Sequence, residues 1–258
     1  MRKTFPGLLS LLFLAAGPAV ARSPGTFDGV LQHVRQAAAA HKRPIVVFDL
    51  DDTLVRTAPR NYAVLKAWSE TTAGAPYTAG FAKVKMDAIG WGIDPTLDTM
   101  GVPADERKAL MKFWADHFFS SDYLKYDLPN PGAVAYATAV HKAGGHLIYM
   151  SGRNAATMRA GTEASMKQHG FPWDPTGKTV TLILKEQKGG DDAAYKEAAS
   201  AKLPALGEVE ACVDNEPGNC NAFHHSLPKA TVILLEKPHS PNPPALEAGI
   251  LRAKDFPI

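Results

Sequence analysis

Asp49, Asp51 and Asp52 put three carboxylates within four residues, directly after the apolar run Pro44-Ile45-Val46-Val47-Phe48. An apolar run of that length bounded by polar residues reads as a short buried strand, so the acids fall at a strand exit. Carboxylates this close repel one another and cost folding free energy. A bound divalent cation recovers that cost, because hard cations take carboxylate oxygens, and the same cation attracts a phosphate. The segment Asp49-Leu50-Asp51-Asp52-Thr53 therefore points to metal-assisted phosphoryl chemistry. Taken alone, such acids serve equally well as turn or helix-capping residues.

The elements that must position them read as alternating strands and helices. Buried-strand runs are expected at Ile45–Phe48, His146–Met150, Val180–Leu184, Val209–Val213 and Thr231–Leu235. Helical patterns fall at Phe27–Ala40, Ala133–Lys142, Ala155–His169 and Ala193–Leu203. This alternation predicts an α/β fold, a Rossmann-like three-layer core with a parallel central sheet. The stretch between the first two strands is too long for one crossover and has helical patterns at Tyr62–Glu70, Gly80–Ile89 and Asp105–Phe119. Residues 59–127 are therefore expected to form a helical cap inserted after the first strand. Residues 22–58 and 128–258 would form the catalytic core, ending in a proline-rich loop and a last short helix.

Ligands of doubly wound parallel sheets bind beyond the carboxyl ends of the strands. Three predicted strands end in polar chemistry there: Asp49 and Asp51, then Ser151-Gly152-Arg153, then Asp214-Asn215-Glu216. In this order and over nearly all of the chain beyond residue 21, the sequence resembles the haloacid dehalogenase-like (HAD) superfamily of phosphohydrolases, in an exported acid-phosphatase-like branch. Asp49-Leu50-Asp51-Asp52-Thr53 matches the first motif of that superfamily, Ser151 the second and Asp214-Asn215-Glu216-Pro217-Gly218-Asn219 the fourth. The third is a lysine ahead of the fourth strand. Lys196 stands where it is usual, with Lys185 and then Lys188 as alternatives.

The resemblance implies an exported phosphomonoesterase acting on small phosphorylated molecules. Asp49 would be the nucleophile forming an aspartyl-phosphate, and Asp51 the acid and then the base. Mg2+ would be held by Asp49, the Asp51 main-chain carbonyl and Asp214. Ser151, the lysine and backbone N–H groups near Asp52 and Gly152 would hold phosphoryl oxygens, with Thr53 completing the motif. The usual second acid four residues after Asp214 is Gly218 here, so Glu216 or Asn219 would supply the outer metal shell. An Asp at position 51 disfavours dehalogenation. Two other functions stay open: phosphoryl transfer to an organic acceptor, and non-catalytic ligand binding on the same scaffold.

Other signals narrow the reading. Residues 1–21 have the tripartite pattern of a secretory signal: Arg2 and Lys3, an apolar Leu8–Ala16 stretch, and Ala19-Val20-Ala21. It implies a protein secreted through the inner membrane, to a bacterial periplasm, with no membrane attachment after cleavage. The formal charge of +2 includes Arg2 and Lys3, so acids and bases balance without them and nothing favours a nucleic-acid duplex. Gly177-Lys178-Thr179 lacks the partner glycine of a phosphate-binding loop, and His224, His225 and His239 lack zinc-ligand spacing. Cys212 and Cys220 read as small buried apolar side chains rather than a disulfide. Arg153 reads as the partner of an acid, with contact to the substrate as the alternative. Trp91 is open between the core of the cap and the wall of a pocket. Oligomeric state is not legible.

Overall fold

The computed structural model describes residues 26–186 and 189–257. The predicted signal therefore lies outside the described residues, as does Lys188. In chain order the elements are α1 (Thr26–Ala39), β1 (Pro44–Phe48), a short β2 (Val55–Arg56), α2 (Ala58–Ser69), α3 (Thr78–Phe81), α4 (Asp94–Met100), α5 (Arg107–Phe118) and β3 (Leu128–Pro129). There follow α6 (Ala133–Lys142), β4 (His146–Asn154), α7 (Ala155–Gln168), β5 (Val180–Lys185), α8 (Asp192–Ser200), β6 (Glu208–Asp214), α9 (Pro217–Ser226), β7 (Thr231–Leu235) and β8 (Leu251–Ala253).

Six strands form one parallel sheet in the order β5-β4-β1-β6-β7-β8, with β1 between β4 and β6. The side chains alternate between its faces, as the two-residue period of a strand requires. Val46 and Phe48 pack with α1 and α6 residues such as Val34 and Tyr136. Ile45 and Val47 face the other way, onto Leu203, Phe223 and Leu227. Ile45, Val46, Val47 and Phe48 are all fully buried, and each such aliphatic or aromatic group contributes roughly 1.5–3 kcal/mol. Cys212 and Cys220 are free thiols buried within the second face. This is the three-layer parallel α/β architecture read from the sequence.

The helices α2 to α5 have a hydrophobic core of their own, including Leu65, Trp68, Phe81, Leu97 and Leu110. The chain enters this helical insert after β2 and leaves it before β3, and those two strands pair antiparallel. No helix among the described residues is long and apolar enough to cross a membrane.

Two expected helices are absent. Gly80–Ile89 is only the short α3 and a 3-10 turn at Met86–Ala88. Gly80 lies against the backbone of α4, where a Cβ would come within 2.0 Å of the Met100 carbonyl oxygen. Helix propensity yields there to a backbone-to-backbone contact. The expected last helix is an extended segment ending in β8, parallel to β7. The Asn221 side chain donates to the Ala245 carbonyl at 2.9 Å and accepts from the Glu247 N–H at 3.1 Å, which pins the segment to α9.

Candidate active site

The carboxyl ends of β1, β4 and β6 meet at one rim. Directly after β1, the Asp49 N–H donates to the Val213 carbonyl at 3.0 Å and ties this exit to β6. The chain then turns back at Asp52, whose φ of 57° is left-handed. Its N–H donates to the Val55 carbonyl at 2.6 Å. Asp52 tolerates this geometry because Thr57 donates to its carboxylate from N–H and hydroxyl, at 2.9 and 2.7 Å. Burial pushes the Asp52 carboxyl up to about 6 against those two bonds. The Thr53 hydroxyl donates to Asn215 Oδ1 at 3.0 Å, joining the first and last motifs.

Lys196, on α8, is buried between two acids. Its Nζ donates to Asp49 Oδ1 at 2.6 Å and to Asp214 Oδ2 at 2.5 Å. Asn219 Nδ2 donates to both Asp214 oxygens at 3.1 and 3.2 Å, and the Glu216 N–H donates to Oδ1 at 2.8 Å. One ammonium thus faces two buried carboxylates, leaving one negative charge uncompensated. Burial raises the Asp49 carboxyl above the usual carboxylate range; Lys196 opposes the shift and Asp214 adds to it. Burial also works against the charge on Lys196, yet Asp214 and Asp49 outweigh it and hold the amine above its ordinary value.

Asp51 belongs to a second ion cluster. Its Oδ1 accepts from Arg60 Nη2 at 2.6 Å and from Arg153 Nε and Nη2 at 3.1 and 2.5 Å. Both guanidinium groups also bond Asp127, which is fully buried. Burial opposes ionisation of Asp51, but Arg153 and Arg60 outweigh it and hold the group well below the usual carboxylate range. Arg153 thus pairs with acids, as read. Arg60 and Asp127 were not read from the sequence. The available signal is that Arg60 lies on the α2 stripe of Val64 and Trp68, spaced four residues apart and buried.

A cavity of about 430 Å³ opens above this rim. Asp49, Asp51, Ser151, Gly152, Lys196 and Asn219 line its floor. The helical insert supplies Trp91, Met111, Trp114, Phe118 and Phe119 as a largely aromatic roof. Trp91 therefore belongs to a pocket wall and is 50% exposed. A Cβ on Gly152 would lie 2.6 Å from Asp192 Oδ2, so any side chain there would displace that carboxylate. Among the other expected site residues, Thr53 is fully buried as a strut. Lys185 bonds Asp192 and the Gly190 carbonyl at 2.6 and 2.9 Å and does not line the cavity. The Glu216 carboxylate accepts from the N–H and hydroxyl of Ser240.

The oxygen-only donors Asp49 and Asp214, one charge short of balance, suit a hard divalent cation such as Mg2+. Among the described residues no group of three or more His, Cys, Asp or Glu side chains is arranged to hold a metal, so main chain and solvent would complete the shell.

Solved structures share this architecture. A candidate phosphatase from Clostridium difficile is similar at 11% identity over 83% of this chain and 95% of that one, with a TM-score of 0.53. A predicted phosphoglycolate phosphatase from Haemophilus somnus 129pt is similar at 15% identity over 82% and 94%, with a TM-score of 0.50. These likenesses are of fold alone. The chain belongs to HAD superfamily, subfamily IIIB (acid phosphatase), whose family model matches residues 63–208, more than half of the sequence. No curated protein matches it.

Proposed function

We propose that this HAD phosphatase is an exported, Mg2+-dependent phosphomonoesterase that works through an aspartyl-phosphate. The carrying observation is the meeting of Asp49, Ser151 and Lys196 on the floor of one cavity, with Asp214 directly behind Lys196. Asp49 attacks phosphorus, the bond to the leaving oxygen breaks, and Asp51 gives that oxygen a proton. A water molecule then attacks the aspartyl-phosphate, Asp51 takes its proton, and inorganic phosphate and free Asp49 result. Lys196, Ser151 and the Gly152 backbone hold phosphoryl oxygens through both steps. Asp49, Asp214 and the main-chain carbonyl of Asp51 would hold Mg2+, which neutralises charge on the phosphoryl group when bound. Asn219 supports Asp214, while Glu216 anchors the Ser240 loop beside it.

The aromatic roof supports small esters whose organic part offers an apolar face, and export rests on the pattern of residues 1–21. The test is phosphate release from an aryl phosphate by the protein with Mg2+ or EDTA, alongside Asp49→Asn. Turnover should require the metal and fall by about 10³-fold or more in the variant. Undiminished turnover by Asp49→Asn would reject the aspartyl-phosphate.

A further inference from the structure

Building on that phosphomonoesterase reading, we propose that Arg60 and Asp127 are positioning residues that orient Asp51 for proton transfer to the leaving group. The contacts of Asp51 are one-sided. The bonds from Arg60 Nη2, Arg153 Nε and Arg153 Nη2 all land on Oδ1. Among the described residues Oδ2 receives none, and Asp51 lines the cavity. Oδ1 is thus the anchored oxygen and Oδ2 the one left to carry the proton.

Asp127 fixes the anchor. It accepts from Arg60 Nε at 2.7 Å, from Arg60 Nη2 at 2.9 Å and from Arg153 Nη2 at 2.7 Å, and so holds both guanidinium planes from behind. Arg60 and Asp127 are both fully buried and neither lines the cavity, so any effect on the reaction passes through Asp51. Planar guanidinium groups held at several nitrogens allow little rotation of the carboxylate they grip.

Arg60 also reaches the roof. It belongs to α2 of the helical insert, its Nη1 donates to the Phe118 carbonyl at 3.4 Å, and its guanidinium carbon lies 4.3 Å from the Phe118 ring centre. Phe118 lines the cavity above the phosphate floor. An organic group seated against Phe118 therefore bears on the same arginine that aims the proton donor. In the first step the electron pair of the breaking P–O bond goes to the leaving oxygen, and Asp51 Oδ2 passes on to it a proton taken up from the bound monoanionic phosphate ester, since the two arginines favour the ionised carboxylate at rest. A leaving group that departs as a stable anion needs no such proton; a simple alkoxide does.

The experiment compares Asp127→Asn and Arg60→Lys with the unaltered protein, in Mg2+, on phosphate monoesters running from an acidic nitrophenol to a simple alcohol. Asp127→Asn keeps shape and Arg60→Lys keeps charge, so either variant alone suffices. The alkyl ester should lose on the order of 10²-fold in kcat, with KM little changed, and the nitrophenyl ester less than about 5-fold. Asp127→Glu should restore part of the alkyl activity. An equal loss across the series, with the unaltered protein active, overturns the proposal alone, because a purely structural defect ignores the leaving group. An unaltered protein silent on every ester overturns the phosphomonoesterase reading and this proposal with it.

Discussion

A single residue, Leu50, separates Asp49 from Asp51, yet the two acids sit in buried ion clusters of opposite character. Around Asp49 a single lysine faces two carboxylates, so the cluster is one positive charge short. Around Asp51 two arginines face two carboxylates, and the charges balance. Buried charge is tolerated only when it is paired and hydrogen-bonded. The balanced cluster meets that condition with protein groups alone, whereas the first meets it only with a further cation or with a proton on Asp49. The contrast separates a place that receives charge from a frame that holds a side chain still.

Removing one cation from each cluster breaks the comparison most sharply. In EDTA, urea unfolding should show Lys196→Met and Arg60→Met each losing about 3–5 kcal/mol, since both leave buried carboxylate charge without its counter-ion. At one fixed Mg2+ concentration Lys196→Met should gain more stability than the unaltered protein gains, because the cation takes the place of the lost ammonium, whereas Arg60→Met keeps Asp49 and Asp214 and should gain only what the unaltered protein gains. Equal rescue of both, or of neither, would erase the distinction drawn here.

A smaller effect sharpens it from the metal side. Asn219→Ala removes one donor from each Asp214 oxygen, leaving Oδ2 to Lys196 and Oδ1 to the Glu216 N–H. Mg2+ titration of activity should show affinity weakened about 10- to 100-fold, the usual cost of losing a group that supports a metal ligand. The corresponding loss in the balanced cluster, Asp127→Asn, should leave the Mg2+ midpoint in place.

The smallest effect comes from a buried ionisable group outside both clusters. His146 opens β4 and its Nε2 lies 2.8 Å from Thr181 Oγ1. Burial lowers its pKa to about 4; Arg43 adds to the shift and Asp174 opposes it. The unfolded chain therefore takes up a proton at higher pH than the folded one. The contribution of His146 is fully present above about pH 6.5 and is lost as pH falls towards 4. The loss should be about 1 kcal/mol after allowance for solvent screening, and His146→Phe should flatten that part of the pH–stability curve. An unchanged slope would place the acid sensitivity elsewhere.

The sheet was legible because its inner strands carry runs of buried apolar residues, from Ile45–Phe48 in β1 to the shorter Ala211–Val213 in β6, and Asp49, Ser151 and Asp214 stand out because each follows such a run. Strand β4 nevertheless runs on to Asn154, since a register shift lets Asn154 pair with Lys185. Arg60 stayed hidden because an arginine near a helix start is exposed by default, and only partners 9 and 67 residues away bury it. Asp127 has the same history. The insert was the least legible region: contacts such as Gly80 against Met100 fix its turns, and no periodic pattern records them.

The pairing of β2 with β3 has a consequence for how this molecule can diversify. Val55 lies opposite Pro129 and Arg56 opposite Leu128, so the insert begins and ends about 5 Å apart. Any helical unit with similarly close ends fits the same doorway without moving the strands that hold Asp49, Ser151 and Asp214. Selectivity can thus be exchanged as a cassette, provided the newcomer brings its own counterpart of Arg60.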